Sequence, residues 1–196
     1  MGGDVEVSER DASASASSLV VEVVQPDAVL SVAAQLAPVL IDTIDGGASV
    51  GWIESPTTEE AVVWWTDLLN DPAAVTWIAR EGQQRILGTI TLVRASKRNG
   101  PHRAEVIKLM VHRDGRGRGI AQALMRSLEN FAMAEGLSLL VLDTQTDSLA
   151  EGLYRRWGWQ VVGVIPDFAV SPDGSLGGTT VMFKRLAGVS QARARD

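Results

Sequence analysis

The chain has 196 residues, 45% of them hydrophobic, with 18 Lys and Arg against 24 Asp and Glu and a formal net charge of −6. That length suits one domain with a real core, and the acidic balance argues against a nucleic-acid partner. The absence of Cys excludes disulfide scaffolds, Cys-ligated zinc, iron–sulfur sites and a thiol nucleophile, and two His are too few for a His metal cluster; these counts leave a carboxylate site open, and no metal is assigned.

In chain order, residues 1–18 read as a disordered tail, with Ser and Ala alternating from Ser13. Asp4, Glu6 and Glu9 stand where a signal peptide would need a basic and then an apolar region. No apolar run stands out as a membrane span, and the expectation is a cytoplasmic protein with no membrane partner. One domain is expected over 19–186, followed by a flexible tail at 187–196. Leu19 to Val24 reads as a strand. Gln25-Pro26-Asp27 opens a helix whose apolar face is Val29, Val32, Ala33, Leu36, Val39 and Leu40, with Pro38 expected to kink or split it. Asp45 to Gly51 reads as a loop. A second helix starts at Thr57 or Thr58 with a Thr57-x-x-Glu60 capping box and ends near Asn70-Asp71-Pro72.

Val75 to Arg80, Arg85 to Arg94 and Ala104 to His112 then read as β-branched strands, the first two joined by a turn at Glu81 to Gln84. A helix is predicted from about Gly117 to Glu135, capped by Gly136, with Ile120, Leu124, Leu128 and Phe131 as its buried stripe. Leu139 to Leu142 has the uniform apolarity of a central strand. A short helix from Ser148 to Trp157 and strands near Trp159 to Ile165 and Thr179 to Arg185 complete the set. About seven strands and four helices in mixed order predict an α/β sheet covered on both faces.

The sharpest feature joins a strand to a helix: Val111-His112-Arg113-Asp114-Gly115-Arg116-Gly117-Arg118-Gly119-Ile120-Ala121. Glycines let backbone N–H groups approach a ligand, and a helix N-terminus favours an anion. With Arg116 and Arg118 nearby, this reads as a pyrophosphate cradle. It is not a P-loop, because Ile120-Ala121 follows where Lys-Ser/Thr is needed, and not a dinucleotide fingerprint, because Gln122 stands at the third glycine position. The plainer reading is a Gly-rich turn with solvated arginines.

The spacing Arg116-x-x-Gly119-x-Ala121 resembles the coenzyme A loop of the GNAT superfamily of N-acetyltransferases. Asp147-x-x-Ala150-x-x-Leu153-Tyr154-x-x-x-Gly158-Trp159 resembles its second signature, with Asp147 in place of the usual Asn and Trp159 in place of Phe. Within the superfamily, Asp45 to Gly51, Ala104 to Val111, Leu142-Asp143-Thr144 and Ser171-Pro172-Asp173-Gly174 resemble the tabtoxin-resistance acetyltransferases. The resemblance implies a GNAT fold with a mixed, mostly antiparallel sheet. It implies acetyl-CoA as co-substrate, bound by Leu109, Met110, Val111, Arg116, Gly117, Arg118, Gly119, Ile120, Ala121, Asp147, Ser148 and Tyr154. It also implies a small-molecule amine as acceptor, with a toxin or antibiotic among the candidates, and it allows a homodimer.

Attack of a neutral amine on a thioester needs a base, donors for the carbonyl oxygen, and an acid for the leaving thiolate. By its motif position Tyr154 is assigned as the acid. Backbone near Leu109 and Val111 is assigned to the pantetheine arm and the carbonyl oxygen. Strict alternation would put Glu105, Ile107, Leu109 and Val111 on one face, an unusual place for an idle carboxylate. Glu105 and Asp143 are assigned as the pair that binds and deprotonates the acceptor amine, and Ser49 as a donor in its pocket. The plainer alternatives are a packed aromatic for Tyr154, a salt bridge to Arg103 or Lys108 for Glu105, and a cap for Asp143. His102 and His112 are expected at the surface, and Trp64, Trp65 and Trp77 in the core. Without Cys there is no thiol-bound acetyl-enzyme, which leaves direct transfer in a ternary complex. A peptide acceptor, or a coenzyme-binding module without catalysis, are the rival readings.

Overall fold

The structure is a computed structural model that describes residues 19–187 apart from 49, 83–84 and 171–173. The expected tails, except Ala187, lie outside the described residues, as do Ser49 and Ser171 to Asp173. Strand β1 is Leu19–Val23, and a 3-10 turn at Pro26–Ala28 leads into helix α1, Val29–Asp45. Pro38 sits inside α1, which is neither ended nor divided there. Val32, Leu36, Val39 and Leu40 recur at helical spacing and bury one face, and that packing holds the helix together through the missing N–H. The 20-residue stretch Pro26–Asp45 is also long and apolar enough to cross a membrane by length and composition, contrary to expectation. Here it packs as a core helix over the sheet.

Helix α2, Thr58–Leu69, starts with the expected capping box: the Thr57 hydroxyl accepts from the Glu60 N–H, and the Glu60 carboxylate accepts from the Thr57 N–H. Strands β2 (Ala74–Glu81), β3 (Arg85–Arg94) and β4 (Arg103–Val111) form a meander. Helix α3 is Ile120–Ala134. It starts three residues later than the apolar pattern suggests, because Gly117 and Gly119 have φ of 74° and 75°, outside the helical region. Strand β5 is Leu139–Gln145, helix α4 is Leu149–Arg156, and the final hairpin is β6 (Gln160–Val170) and β7 (Leu176–Arg185). Both hairpin strands are longer than their apolar runs predict.

The seven strands are ordered β1-β2-β3-β4-β5-β7-β6. Helices α1 and α2 cover one face, with Trp65, Ile78, Ile86 and Met110 in the core there. Helix α3 and Tyr154 of α4 cover the other, around Trp77, Ile90, Leu92, Val106, Leu140 and Met182. All neighbouring strands are antiparallel except β4 and β5. That parallel pair is short, matching only Arg103 with Leu139, Ala104 with Leu140 and Glu105 with Val141. Beyond it β4 follows β3 as far as Val111, and β5 follows β7 as far as Gln145. The two strands therefore part company and open a cleft in mid-sheet.

Strand β4 also carries a bulge. Thr91 pairs with Ile107 and Thr89 with Met110, so Lys108 and Leu109 stand opposite one residue of β3. Lys108 takes φ 54° there. The bulge breaks the alternation. Ala104 and Val106 before it, and Leu109 and Val111 after it, all pack toward α3, whereas Met110 packs toward α1 and α2. Glu105 therefore lies on the opposite face from Leu109 and Val111, which corrects the strict-alternation reading.

Where α3 begins, it sits almost on the backbone of β3. A Cβ on Gly88 would lie 2.9 Å from Ile120 Cγ2, 3.0 Å from the Met110 carbonyl oxygen and 3.1 Å from Leu124 Cδ1. Gly88→Ala is expected to destabilise the fold by about 1–3 kcal/mol through overpacking, read as a fall in Tm of roughly 2–12 °C. A Tm equal to wild type would show that the α3 start is not held this closely.

Candidate active site

The glycine-rich turn forms an anion cradle from backbone alone. Gly119 is the N-cap of α3 in the left-handed conformation and offers no side-chain cap. Among the described residues, none of the N–H groups from Gly117 to Gln122 is used by a backbone carbonyl. Several donors thus converge at the positive end of the helix dipole. Ile120 is buried and Ala121 half-buried, so these two contribute through backbone. The arginines are engaged at the rim. Arg118 pairs with Glu81 at 2.6 Å, and Arg116 donates to the Val111 carbonyl at 3.4 Å and lies 3.7 Å from Asp42. They set the local charge but leave the centre of the turn to the N–H groups.

The mid-sheet cleft is a cavity of about 390 Å3. Leu109, Asp143, Thr144, Ser148 and Tyr154 line it between the strands, and Thr43, Val50, Gly51, Lys108, Phe168 and Thr179 on the α1–α2 side and the final hairpin. It passes through the sheet. Tyr154, only 7% exposed, reaches it from the α3–α4 face, stacked edgewise against Trp157 and tilted against Trp159. Among the described residues its hydroxyl makes no hydrogen bond. Burial, and then the charge of Asp143, hold its phenol well above the ordinary tyrosine range. It therefore stays protonated at any working pH.

Glu105 ends the stretch where β4 and β5 are paired, near enough to feel the charge of Asp143, which lines the cleft. Asp143 accepts a 3.0 Å hydrogen bond from the Thr179 hydroxyl. The Glu105 side chain still reaches solvent, yet the surrounding protein and then the Asp143 charge push its carboxyl above the usual glutamate range, with Lys108 pulling the other way. Lys108, which the sequence suggested only as a salt-bridge partner for Glu105, also lines the cleft. Its ammonium donates to the Val50 carbonyl at 2.7 Å and sits 5.1 Å from the Trp64 ring centre. Burial lowers its pKa, while Asp143 and Glu105 work to raise it. Trp65 and Trp77 are core as expected, but Trp64 is half-buried and backs this lysine. Met110, expected at the pantetheine arm, turns its side chain away into the α1–α2 core because of the bulge.

The free backbone edge of β4 beyond Glu105 shares the cavity with Tyr154 through Leu109 and runs on into the N–H cradle, an arrangement suited to a long pantetheine pyrophosphate. A sequence profile of the acetyltransferase (GNAT) family matches residues 41–159. The chain belongs to the GNAT family. Human N-acetyltransferase 8B is 33% identical over 97 residues, which cover 48% of this chain and 42% of that protein. Rat N-acetyltransferase 8B matches at the same identity, over 43% of its length. The chain thus spans under half the length of these curated relatives. Among solved structures, a GCN5-related N-acetyltransferase from Kribbella flavida superposes with TM-score 0.70 at 23% identity, covering 86% of this chain and 98% of that one. The putative acetyltransferase yncA from Salmonella typhimurium, solved with acetyl-CoA, does so with TM-score 0.70 at 16% identity, covering 91% and 98%. These share the fold.

Two buried carboxylates hold this GNAT site in place. Glu151 accepts from the Asp147 N–H at 2.8 Å, the Thr180 hydroxyl at 3.1 Å and Arg155 at 2.6 Å. It fixes the turn where Asp147 has φ 60° and Ser148 caps α4 through its hydroxyl. Asp42 of α1 is 6% exposed and accepts from the Arg113 backbone N–H at 2.9 Å and from the Arg113 guanidinium, with His112 3.7 Å away. His112 is accordingly not a surface residue, since its side chain is only 12% exposed, whereas His102 is exposed. Burial alone would raise the Asp42 pKa. The Arg113 hydrogen bonds and the charges of His112 and Arg113 outweigh it and hold the carboxyl below its ordinary value. A signal for Asp42 existed: it falls one turn after Val39, on the buried stripe of an otherwise apolar helix.

Because the folded pKa of Asp42 is depressed, its contribution to stability is present above the unfolded value of 3.8 and is lost as pH falls through the folded one. Asp42→Asn is expected to cost about 1–3 kcal/mol at pH 7. The Tm difference from wild type should shrink steadily below about pH 4. A Tm difference that is constant from pH 7 to pH 3 would count against a charged tie.

Proposed function

We propose that the chain is an acetyl-CoA-dependent N-acetyltransferase that acetylates a primary amine of a small molecule by direct transfer in a ternary complex. The observation that carries this reading is the cleft through the sheet, lined by a protonated phenol and by the Asp143 carboxylate, with the Glu105 carboxylate close enough to feel the Asp143 charge. When bound, acetyl-CoA supplies the acetyl thioester. The chain's residues do the rest. The N–H groups of Gly117 to Gln122 bind the pyrophosphate. The open edge of β4 near Leu109 and Val111 holds the pantetheine arm and offers an N–H to the thioester carbonyl. Glu105 and Asp143 bind the acceptor ammonium and take its proton, directly or through water. Tyr154 gives a proton to the leaving thiolate.

The modest size of the cavity favours a small acceptor over a folded protein terminus. The likeness of Asp45 to Gly51, Ala104 to Val111 and Leu142-Asp143-Thr144 to tabtoxin-resistance acetyltransferases supports a toxin or antibiotic as acceptor. A cytoplasmic location, where acetyl-CoA is present, is part of the same reading. The absence of Cys from the sequence supports direct transfer.

Two substitutions test the roles. Tyr154→Phe is expected to lower kcat by about 100-fold or more while the Kd for acetyl-CoA changes less than about threefold. An unchanged kcat removes the phenol from the mechanism. With Glu105 as base, kcat/KM rises with pH as its carboxyl ionises, and that limb lies above the ordinary glutamate range near 4.3. Glu105→Gln should flatten the limb. A profile identical to wild type places the base elsewhere, and Asp143→Asn is then the variant to measure.

A further inference from the structure

Lys108 is the least ordinary residue in the cleft. It is the residue in β4 with positive φ, at 54°, a conformation that costs a non-glycine residue strain. The bulge aims its side chain at the α1–α2 half of the cavity, the half opposite Tyr154. Lys108 is half-buried, and its ammonium donates once, to the Val50 carbonyl at 2.7 Å, with the Trp64 ring 5.1 Å away. Glu105 and Asp143 are close enough to be felt electrostatically. Yet among the described residues no carboxylate oxygen lies within ion-pairing distance, 4.0 Å, of its nitrogen. Buried charges are ordinarily paired. Here a cation without an ion-pair partner among the described residues lines the same cavity as Asp143, a carboxylate likewise without one, and Glu105 adds its charge from the exposed end of the paired stretch.

We propose that the acceptor is a zwitterion: an amine that also carries a carboxylate, with the carboxylate held by Lys108 and the ammonium by Glu105 and Asp143. This rests on the acetyltransferase reading above and narrows its substrate class to amino acids and their close analogues. A single lysine with one donor already engaged suits a monoanion. A dianionic phosphate would face Glu105 and Asp143 with one cation to offset it. The cavity of about 390 Å3 has room for a group of that size. Trp64 and Val50 fix the ammonium so that little side-chain freedom is lost when the carboxylate arrives. Lys108 thus selects the acceptor, and Glu105 and Asp143 handle its proton.

The test is thiol release from acetyl-CoA by the full chain, with the twenty amino acids compared with their carboxamides. The amide keeps the amine and removes the negative charge. It also lowers the amine pKa, so a slower amide cannot be blamed on a scarcer neutral amine. An amino acid should exceed its amide in kcat/KM by roughly 10- to 100-fold, the value of a charged hydrogen bond. Lys108→Met should reduce that ratio to under about threefold, and Lys108→Arg should restore a ratio above it. Equal turnover of acid and amide by wild type, or a ratio that survives Lys108→Met, overturns the proposal. If Lys108→Met does not fold, the wild-type ratio decides alone. No thiol release from any amine, with acetyl-CoA still bound, overturns the acetyltransferase reading and this proposal with it. Turnover confined to amines without a carboxylate overturns this proposal and leaves that reading intact.

Discussion

Everything that makes this sheet a site follows from one constraint: β4 and β5 are paired for only three residues. Each strand is held on its far side by a long antiparallel ladder, β4 by β3 and β5 by β7. Twist carries the two ladders apart once their shared hydrogen bonds stop. A backbone edge inside a sheet would normally be paired, and leaving it open has a cost. The open edge is tolerable where a ligand can complete it. The phenol, the Asp143 carboxylate and the lysine all line this gap, and they would not share one cavity if the strands stayed in register to their ends.

Much of the fold was legible because it rests on local rules. The Thr57–Glu60 capping box and the Gly136 stop are chemistry confined to a few residues. The Gly117 and Gly119 turn could be read for the same reason, since only glycine takes that conformation cheaply. What escaped depended on tertiary context. The bulge at Lys108 uses a lysine where glycine would have announced it, and a one-residue insertion exchanges the faces of all that follow. Pro38 looked like a break, but the packing of Leu36, Val39 and Leu40 overrode the local penalty.

The site residues divide in the same way. Tyr154 and Asp143 were found by motif and by position at the end of an apolar run, and the structure brings both to the cleft. Glu105 was singled out by an argument about faces that the bulge overturns, and the structure brings it close enough to Asp143 to feel its charge. Asp42 and Glu151 went unnoticed because acids within helices usually signify solvent. Only their partners, on other elements, reveal them as anchors. Lys108 was weighed only as a salt-bridge partner for Glu105, and that bond is the one it does not make.

The Asp42 tie has a bearing on how the protein comes into being. It joins residues 71 apart in sequence, and the Glu151 to Thr180 contact spans a further 29. Closing such loops costs entropy before any contact repays it. As the chain leaves the ribosome, helix α1 is complete long before Arg113 exists, so its buried carboxylate must wait in water or in provisional contacts. The glycine-rich turn takes its final position only after that partner arrives, and α4 is anchored only when β7 follows. The turn is thereby docked on α1 only once Arg113 has emerged, and α4 is tied to the sheet only once Thr180 of β7 has, so both elements that border the cleft depend on partners made after them or far from them in the chain.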